Sequence, residues 1–387
     1  DLSEEQYKTT QISIAPRGKI TAADGTVLAV DEPVWNIYAT LSNNKEEREK
    51  FFNDKDKFVS EVSGILGIER EEIDSKLTDD FVYAPLKKEV STEKKKALES
   101  AEIFGPGTKG FGLHFEKEEK RIYPNDTLAA HVLGFIGRDS EGKTIGQYGI
   151  QGHYFGDING RFGYSYEEKD SYGNVILTSE YQPVLPREGK DFKLTIQPNL
   201  QSKVEKILED GVKSTRSKSG SVIIMDPKTG AILVMANFPT YSPEEYWRAP
   251  ETSVLKNKAV SDVYEYGSIQ KPLTVAIALD EKIIDRNFKC LDKTGYLDLY
   301  DATGYADLKG AKVHTWNKKA AGELDIAEIF KTSNNPCTAR IALKVDSQKY
   351  YSKLQEFGLG KFIGIGLQDE SSNYLKPFDY WTKLDVI

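Results

Sequence analysis

Two short polar stretches carry residue types that could do covalent chemistry: YEYGSIQKPLT, Tyr264 to Thr274, and TSNN, Thr332 to Asn335. In the first, Ser268 and Lys271 stand three apart at the head of an apolar run. On a helix, residues at that spacing share a face about 5–6 Å apart, so hydroxyl and amine can meet. A serine hydroxyl is a weak nucleophile until a base takes its proton, and a lysine amine can be that base when burial and nearby positive potential lower its pKa. A helix N-terminus supplies such potential and a backbone N–H for an oxyanion. Pro272 suits a first helical turn, where the missing N–H has no intrahelical partner anyway.

Spacing alone does not single this pair out. S-x-x-K also occurs at Ser42, Ser91, Ser140 and Ser253, all in charged, turn-like surroundings, whereas Ser268 follows a glycine and precedes the apolar run TVAIAL. Taken by itself, the motif is better explained as a helix N-cap beside a surface lysine. In LDIAEIFKTSNNPCTARIAL, Leu324 to Leu343, apolar residues at helical spacing flank Ser-Asn-Asn-Pro. A helix that stops at TSNN and resumes after Pro336 leaves Ser333 and Asn335 in a tight polar turn between buried segments, where polar side chains need partners. A helix cap with an Asx turn explains the same pattern, and S-x-N recurs at Ser42 and Ser371.

The elements that must position these residues belong to a chain of 387 residues, 39% hydrophobic and 29% charged, enough for about two domains with their own cores. Net charge is −8, and Lys and Arg are scattered among Asp and Glu rather than gathered in a stripe, which argues against nucleic acid as a partner. No apolar run approaches the ~18 residues of a membrane span. The opening DLSEEQYKTT does not resemble a signal peptide, so any export signal or anchor is expected outside this sequence. Cys290 and Cys337 lie far apart and are expected as ordinary buried thiols. His114, His131, His153 and His314 show no H-x-x-x-H pairing, and neither a metal nor an organic cofactor is expected.

Residues 1–187 mix short β-like runs (TVLAV at Thr26, WNIYAT at Trp35) with a charged helical stretch from Lys45 to Leu77, an irregular α+β unit. The loop PVLPREGKD, Pro183 to Asp191, is read as the domain boundary. Beyond it come a strand at Phe192–Ile196 and a helix with Pro198 in its first turn and Leu200, Val204, Ile207, Leu208 and Val212 at helical spacing. A hairpin follows in SVIIMDPKTGAILVMAN, Ser221 to Asn237, turning at Asp-Pro-Lys-Thr-Gly. The pattern predicts an α+β fold with helices flanking an antiparallel sheet.

The order of motifs resembles a known family. KNKAV at Lys256, SDVYEYGSIQKP at Ser261, TSNN at Thr332 and FGLGKFIGIGLQDE at Phe357 are similar to the class B penicillin-binding proteins, the peptidoglycan D,D-transpeptidases. RGKITAADGTVLA at Arg17, YPNDTLAAHVLGFIG at Tyr123, GQYGIQGHYFGDINGRFG at Gly146 and DSYGNVI at Asp170 resemble that family's N-terminal pedestal, or dimerisation-type, domain. The resemblance implies a pedestal over 1–187 and a penicillin-binding transpeptidase domain over 188–387. It implies Ser268 as the acylated nucleophile and Lys271 as its general base. Ser333 would relay a proton to the leaving amine, and Asn335 would bind Lys271 and the substrate amide. A third motif, K-[ST]-G, is expected well after Ser333, yet its three instances here, at Lys218, Lys228 and Lys293, all precede it. The chain is therefore expected to lack the last part of the catalytic domain. Tyr266, where the family usually has proline, and Ala22-Ala23, where it usually has Asp-Arg, are smaller departures.

What the resemblance implies for function is acyl transfer: cross-linking of peptidoglycan stem peptides through a serine ester, with β-lactams as inhibitors. It further implies an extracytoplasmic domain on a single-pass N-terminal anchor in the bacterial membrane, with a polytopic glycosyltransferase and other division proteins as partners. Ser-Asn-Asn and the compact pedestal favour septal division over side-wall elongation. A catalytically inactive or sensor-type relative, and a serine β-lactamase, stay open as other readings.

Overall fold

The structure, a computed structural model, describes residues 8–13, 15–41, 45–78, 81–101, 111–169, 175–176, 184–371 and 374–387. Of the sequence motifs, Ser42, Pro183 and all of DSYGNVI except Val175–Ile176 lie outside the described residues. The chain packs as two compact units, Asp1–Ala259 with Gly366–Asp369, and Val260–Ile365 with Glu370–Ile387.

The first unit opens with strands β1 (Lys8–Ser13), β2 (Ile20–Thr21) and β3 (Val27–Leu41), then helices α1 (Lys45–Leu66) and α2 (Arg70–Lys76), strand β4 (Tyr83–Ser91), helix α3 (Thr92–Glu99) and strand β5 (Phe111–Ile122). β3 is the spine. β5 pairs with it antiparallel from Val30↔Ile122 to Leu41↔Phe111, and β4 pairs antiparallel from Val34↔Ser91 to Thr40↔Tyr83. Ile37, Ala39 and Leu41 alternate along β3, as a half-buried strand requires. They join Phe51, Phe58 and Val62 of α1, Ile73 of α2 and Leu98 of α3 in one core. A buried ion cluster ties the segment at Arg17 to β5: Asp31 accepts from Arg17 Nη1 at 3.0 Å and from Arg121 Nη1 at 3.1 Å. Arg121 Nε also donates to Gln151 Oε1 at 2.7 Å.

Next come α4 (Ala130–Leu133), β6 (Phe135–Arg138), β7 (Thr144–Gln147), α5 (Gly149–His153), α6 (Phe155–Ile158), β8 (Gly163–Lys169), β9 (Val175–Ile176) and β10 (Phe192–Lys193). β10 pairs for two residues in parallel with β2, a shorter strand than Phe192–Ile196. Helix α7 (Pro198–Thr215) precedes the antiparallel hairpin of β11 (Gly220–Met225) and β12 (Ile232–Phe238). The hairpin turn is closed by Asp226, whose Oδ1 accepts from Lys228 N at 2.9 Å. α7 lies on β12, where Gln201 Nε2 donates to Met235 O at 2.9 Å and Gln201 Oε1 accepts from Met235 N at 3.0 Å. Glu205 accepts from Ala129 N at 2.9 Å, and Tyr241 OH donates to Ala130 O at 3.2 Å. These bonds draw the helix and hairpin into the first unit, so the packing division lies further along the chain than the Pro183–Asp191 loop.

Helix α8 (Lys258–Ser261) spans that division. The second unit holds α9 (Lys271–Asp280), β13 (Lys289–Asp292), β14 (Tyr296–Asp298), α10 (Leu299–Thr303), β15 (Lys312–His314), β16 (Gly322–Asp325), α11 (Ile326–Lys331), α12 (Asn335–Ala342) and α13 (Ser347–Glu356). β13 pairs antiparallel with β16 and β14 with β15. The mixed helix-and-sheet architecture is the one expected, with α9 packed on α12 and α13. Val275, Ile277 and Ala278 of α9 join Ile329 of α11, Ile341 of α12 and Leu354 of α13 in the core.

One expectation fails. Cys290 on β13 and Cys337 on α12 are not separate thiols but a disulfide. Their sequence separation of 47 gives no hint of pairing. The pairing of β13 with β16, and the packing of α12 on β13, bring the two sulfurs together. Closing a loop of that length stabilises by about 4 kcal/mol on the chain-entropy account. Alkylation under denaturing, non-reducing conditions should label neither cysteine, both should react after reduction, and the urea midpoint should fall on reduction. Two free thiols before reduction contradict the fold.

Candidate active site

Gly267 has φ +62°, a left-handed value that a side chain would strain, and it turns the chain into a 3₁₀ turn, Gly267–Gln270, that runs directly into α9. Ser268 sits exposed in that turn, while Lys271, at the first position of α9 and ahead of Pro272, is half-buried. The N-cap reading of Ser268 does not hold, because neither the 3₁₀ turn nor α9 has a side-chain cap.

The second stretch is held by its flanking helices. α11 opens with a reciprocal capping box between Asp325 and Glu328 and ends as Thr332 Oγ1 donates to Glu328 O at 2.7 Å. Ser333 then adopts φ +51°. Asn334 caps α12, its Oδ1 accepting from Cys337 N at 2.9 Å, and Asn335 is the first residue of that helix. The polar turn legible in the sequence is present, but only α12 beyond it is largely buried; α11 buries Ile329 and leaves its end exposed.

The two stretches meet. Lys271 Nζ donates to Ser333 O at 2.7 Å, to Ser333 Oγ at 2.8 Å and to Asn335 Oδ1. The hydroxyls of Ser333 and Ser268 are hydrogen-bonded at 2.9 Å. Asn335 Nδ2 donates to the main-chain oxygen of His314 at 2.8 Å. All four candidate residues, Ser268, Lys271, Ser333 and Asn335, thus form one hydrogen-bonded chain. The expected direct meeting of Ser268 with Lys271 is replaced by a bridge: Ser333 Oγ stands between amine and nucleophile.

Burial lowers the Lys271 pKa below the ordinary lysine value. The acceptors around the ammonium are a carbonyl, a hydroxyl and an amide, none of them a carboxylate that would hold the proton strongly. Hydroxyl hydrogens rotate to suit their partners. With a charged amine the bonds run Lys271 to Ser333 to Ser268. With a neutral amine the same atoms can run in reverse, from Ser268 O–H to Ser333 and from Ser333 O–H to Lys271. The arrangement can therefore take a proton from Ser268 and hold it.

Neither Ser219-Gly220, which leads into β11, nor Lys228, in the hairpin turn, belongs to this cluster; Lys293-Thr294-Gly295 follows β13 directly. Sequence reasoning missed the His314 carbonyl, Asn334 and Asp292, the last accepting from Asn334 Nδ2 at 3.1 Å. Asn334 was visible as the middle residue of Ser-Asn-Asn; Asp292 stands just before the Lys293-Thr294-Gly295 string, and the His314 carbonyl comes from a part of the chain with no motif of its own.

Comparison with known proteins places both halves. Residues 220–386 match the profile of the penicillin binding protein transpeptidase domain, and residues 12–194 that of the penicillin-binding protein dimerisation domain. The whole chain is 28% identical to the probable peptidoglycan D,D-transpeptidase PenA of Neisseria meningitidis serogroup A, covering 61% of that protein. It is 26% identical to the peptidoglycan D,D-transpeptidase FtsI of Escherichia coli K12, with 98% of this chain and 59% of that one aligned. The chain thus spans about three fifths of the length of these relatives. The crystal structure of penicillin binding protein 2X from Streptococcus thermophilus shares the fold, with TM-score 0.76 at 24% identity over 98% of this chain and 56% of that one.

The lowered Lys271 pKa has a measurable sign. Between the folded midpoint and the ordinary value of 10.5, the unfolded chain binds the extra proton, so stability rises with pH in that window. A ¹³Cε NMR titration of Lys271 should give a midpoint below 10.5, and the stability of wild type relative to Lys271→Met should rise with pH through the window. A midpoint at or above 10.5, or a flat difference, contradicts the assignment.

Proposed function

The chain belongs to the class B penicillin-binding proteins, and from that premise we propose that it carries the acylation half-site of a serine D,D-transpeptidase that cross-links peptidoglycan stem peptides. The observation that carries the reading is the hydrogen-bonded chain Ser268–Ser333–Lys271–Asn335. With neutral Lys271, the proton of Ser268 passes to Ser333 Oγ as the Ser333 proton passes to Lys271 Nζ. Ser268 Oγ attacks the carbonyl carbon of the penultimate D-alanine, giving a tetrahedral intermediate. Its collapse breaks the C–N bond, and the terminal D-alanine leaves with the proton returned from Lys271 by way of Ser333. The amine of a second stem attacks the ester, loses a proton to the same chain and restores Ser268. A β-lactam enters by the same attack, because its ring carbonyl imitates the scissile bond and the resulting ester is slow to break. Asn335, held between Lys271 and the His314 carbonyl, orients the amine.

The Cys290–Cys337 disulfide supports an oxidising, extracytoplasmic setting, in keeping with a membrane anchor and with glycosyltransferase and division partners in the whole protein. Among the described residues no helix is long and apolar enough to cross a membrane. A septal role rests on the Ser-Asn-Asn motif and the compact pedestal.

Intact-mass spectrometry after incubation with a penicillin tests the nucleophile. The protein should gain the mass of one penicillin, and Ser268→Ala should gain none. A mass increase that survives in Ser268→Ala removes Ser268 from the mechanism, and rapid hydrolysis without a lasting adduct would identify a β-lactamase instead.

A further inference from the structure

Asp292, at the end of β13, is a carboxylate with 0% exposure, and the reaction above gives it no part. Its oxygens are held by neutral N–H groups. Oδ1 accepts from Gly295 N at 2.8 Å and Thr294 N at 3.4 Å; Oδ2 accepts from Asn334 Nδ2 at 3.1 Å and Ala321 N at 3.3 Å. A buried charge is costly unless its hydrogen bonds are made, so a carboxylate retained here must hold those four donors in place.

What it holds is the catalytic turn, from two sides. The direct line is the bond from Asn334 Nδ2, the middle residue of Ser333-Asn334-Asn335. The second line uses Lys293-Thr294-Gly295, the K-T-G string that stands too early for the family's third motif. Gly295 has φ +73°, and a Cβ there would come within 2.5 Å of the Lys319 backbone. The Gly295 carbonyl accepts from Thr315 N at 2.9 Å and Thr315 Oγ1 at 3.1 Å. Thr315 adjoins His314, whose carbonyl accepts from Asn335 Nδ2 at 2.8 Å. Asp292 therefore reaches Asn334 directly and Asn335 through Gly295, Thr315 and His314.

We propose that Asp292 is a positioning residue for acyl transfer. It fixes the Ser333–Asn335 turn so that the Ser333 hydroxyl and the Asn335 amide stay on Lys271. The inference rests on the reading of Ser268, Lys271, Ser333 and Asn335 as the reacting set, and adds the group that keeps them in register. An acceptor-only side chain is required: an asparagine there turns an N–H₂ toward two N–H donors, whichever way it is flipped.

The test compares Asp292→Asn, Asn334→Ala and the exchange Asp292→Asn with Asn334→Asp, which restores a donor facing an acceptor at the 292–334 contact and leaves Ala321 N as the one mismatched donor. Stopped-flow acylation by a chromogenic cephalosporin separates the pre-acylation dissociation constant from the acylation rate constant. Asp292→Asn and Asn334→Ala should lower the rate constant about 10- to 100-fold, as small misplacements of reacting groups do, with binding changed by less than about threefold. The exchange should recover the part of the loss that runs through Asn334, bringing the rate constant above that of Asp292→Asn. Hydrogen–deuterium exchange over residues 332–338 reads the same brace without needing activity. The Asn334 and Cys337 amides should exchange faster in Asp292→Asn and slow again in the paired variant.

Wild-type rates and exchange in Asp292→Asn overturn the proposal, as do equal losses in the single and paired variants. Should Asp292→Asn not fold, Asn334→Ala and the paired variant decide in the same terms. Absence of any Ser268 adduct in the wild type sinks the reading of the nucleophile, and the exchange data still decide the brace.

Discussion

A lysine ammonium that water cannot fully solvate must find acceptors in the protein, and here the S-N-N turn supplies them. Lys271 Nζ is met by Ser333 O, Ser333 Oγ and Asn335 Oδ1. The same contacts satisfy a half-buried polar turn between the exposed end of α11 and the buried start of α12, where an unpaired buried group would cost about 1–3 kcal/mol. Each side solves the other's desolvation problem. A continuous run of hydrogen bonds is a by-product of that mutual satisfaction, because the hydroxyl nearest the amine is also the one bonded to Ser268.

Holding this geometry falls to the packing of the second unit. α9 brings Lys271 in with its apolar face, Val275, Ile277 and Ala278, sunk among α11, α12 and α13. α12 brings Asn335 at its first position, and the Cys290–Cys337 disulfide ties that end of the helix to β13. Lys271 and Asn335 are thus mounted on the first positions of packed helices, where backbone freedom is small and the side chains still reach the surface. Left-handed Ser333, at φ +51°, is the strained link, and it occurs where the chain must reverse between α11 and α12 while aiming a hydroxyl at Ser268.

The candidate site was more legible in the sequence than the scaffold. The glycine before Ser268 and the apolar run after Lys271 separated that S-x-x-K from its four look-alikes, and the order of motifs did the rest. Helices α7 and α9 and the β11–β12 hairpin were readable because periodicity, Pro198 and the Asp-Pro-Lys-Thr-Gly turn all agree locally. What stayed hidden depends on long-range pairing. The disulfide is set by which strand lies beside α12, and no spacing rule encodes that. Asp292 looks like any surface aspartate until β13 is buried. The bridging place of Ser333, between Lys271 and Ser268 rather than beside them, follows from its left-handed backbone, which the residue type does not announce. Packing runs past the proline-rich loop, because hydrogen bonds from Glu205 and Tyr241 tie α7 and the hairpin to the first unit, while the two family profiles divide between residues 194 and 220.

The central claim is that Lys271 acts on Ser268 through Ser333, so the two should behave as one device. The direct measurement is a double-mutant cycle on the penicillin acylation rate constant with Lys271→Ala, Ser333→Ala and the double variant. Groups acting as a unit are strongly non-additive. If Lys271 and Ser333 form one device, each single variant loses nearly as much rate as the double. Losses that simply multiply would mean that Lys271 and Ser333 work independently, and the bridge would be a resting contact without a part in the chemistry.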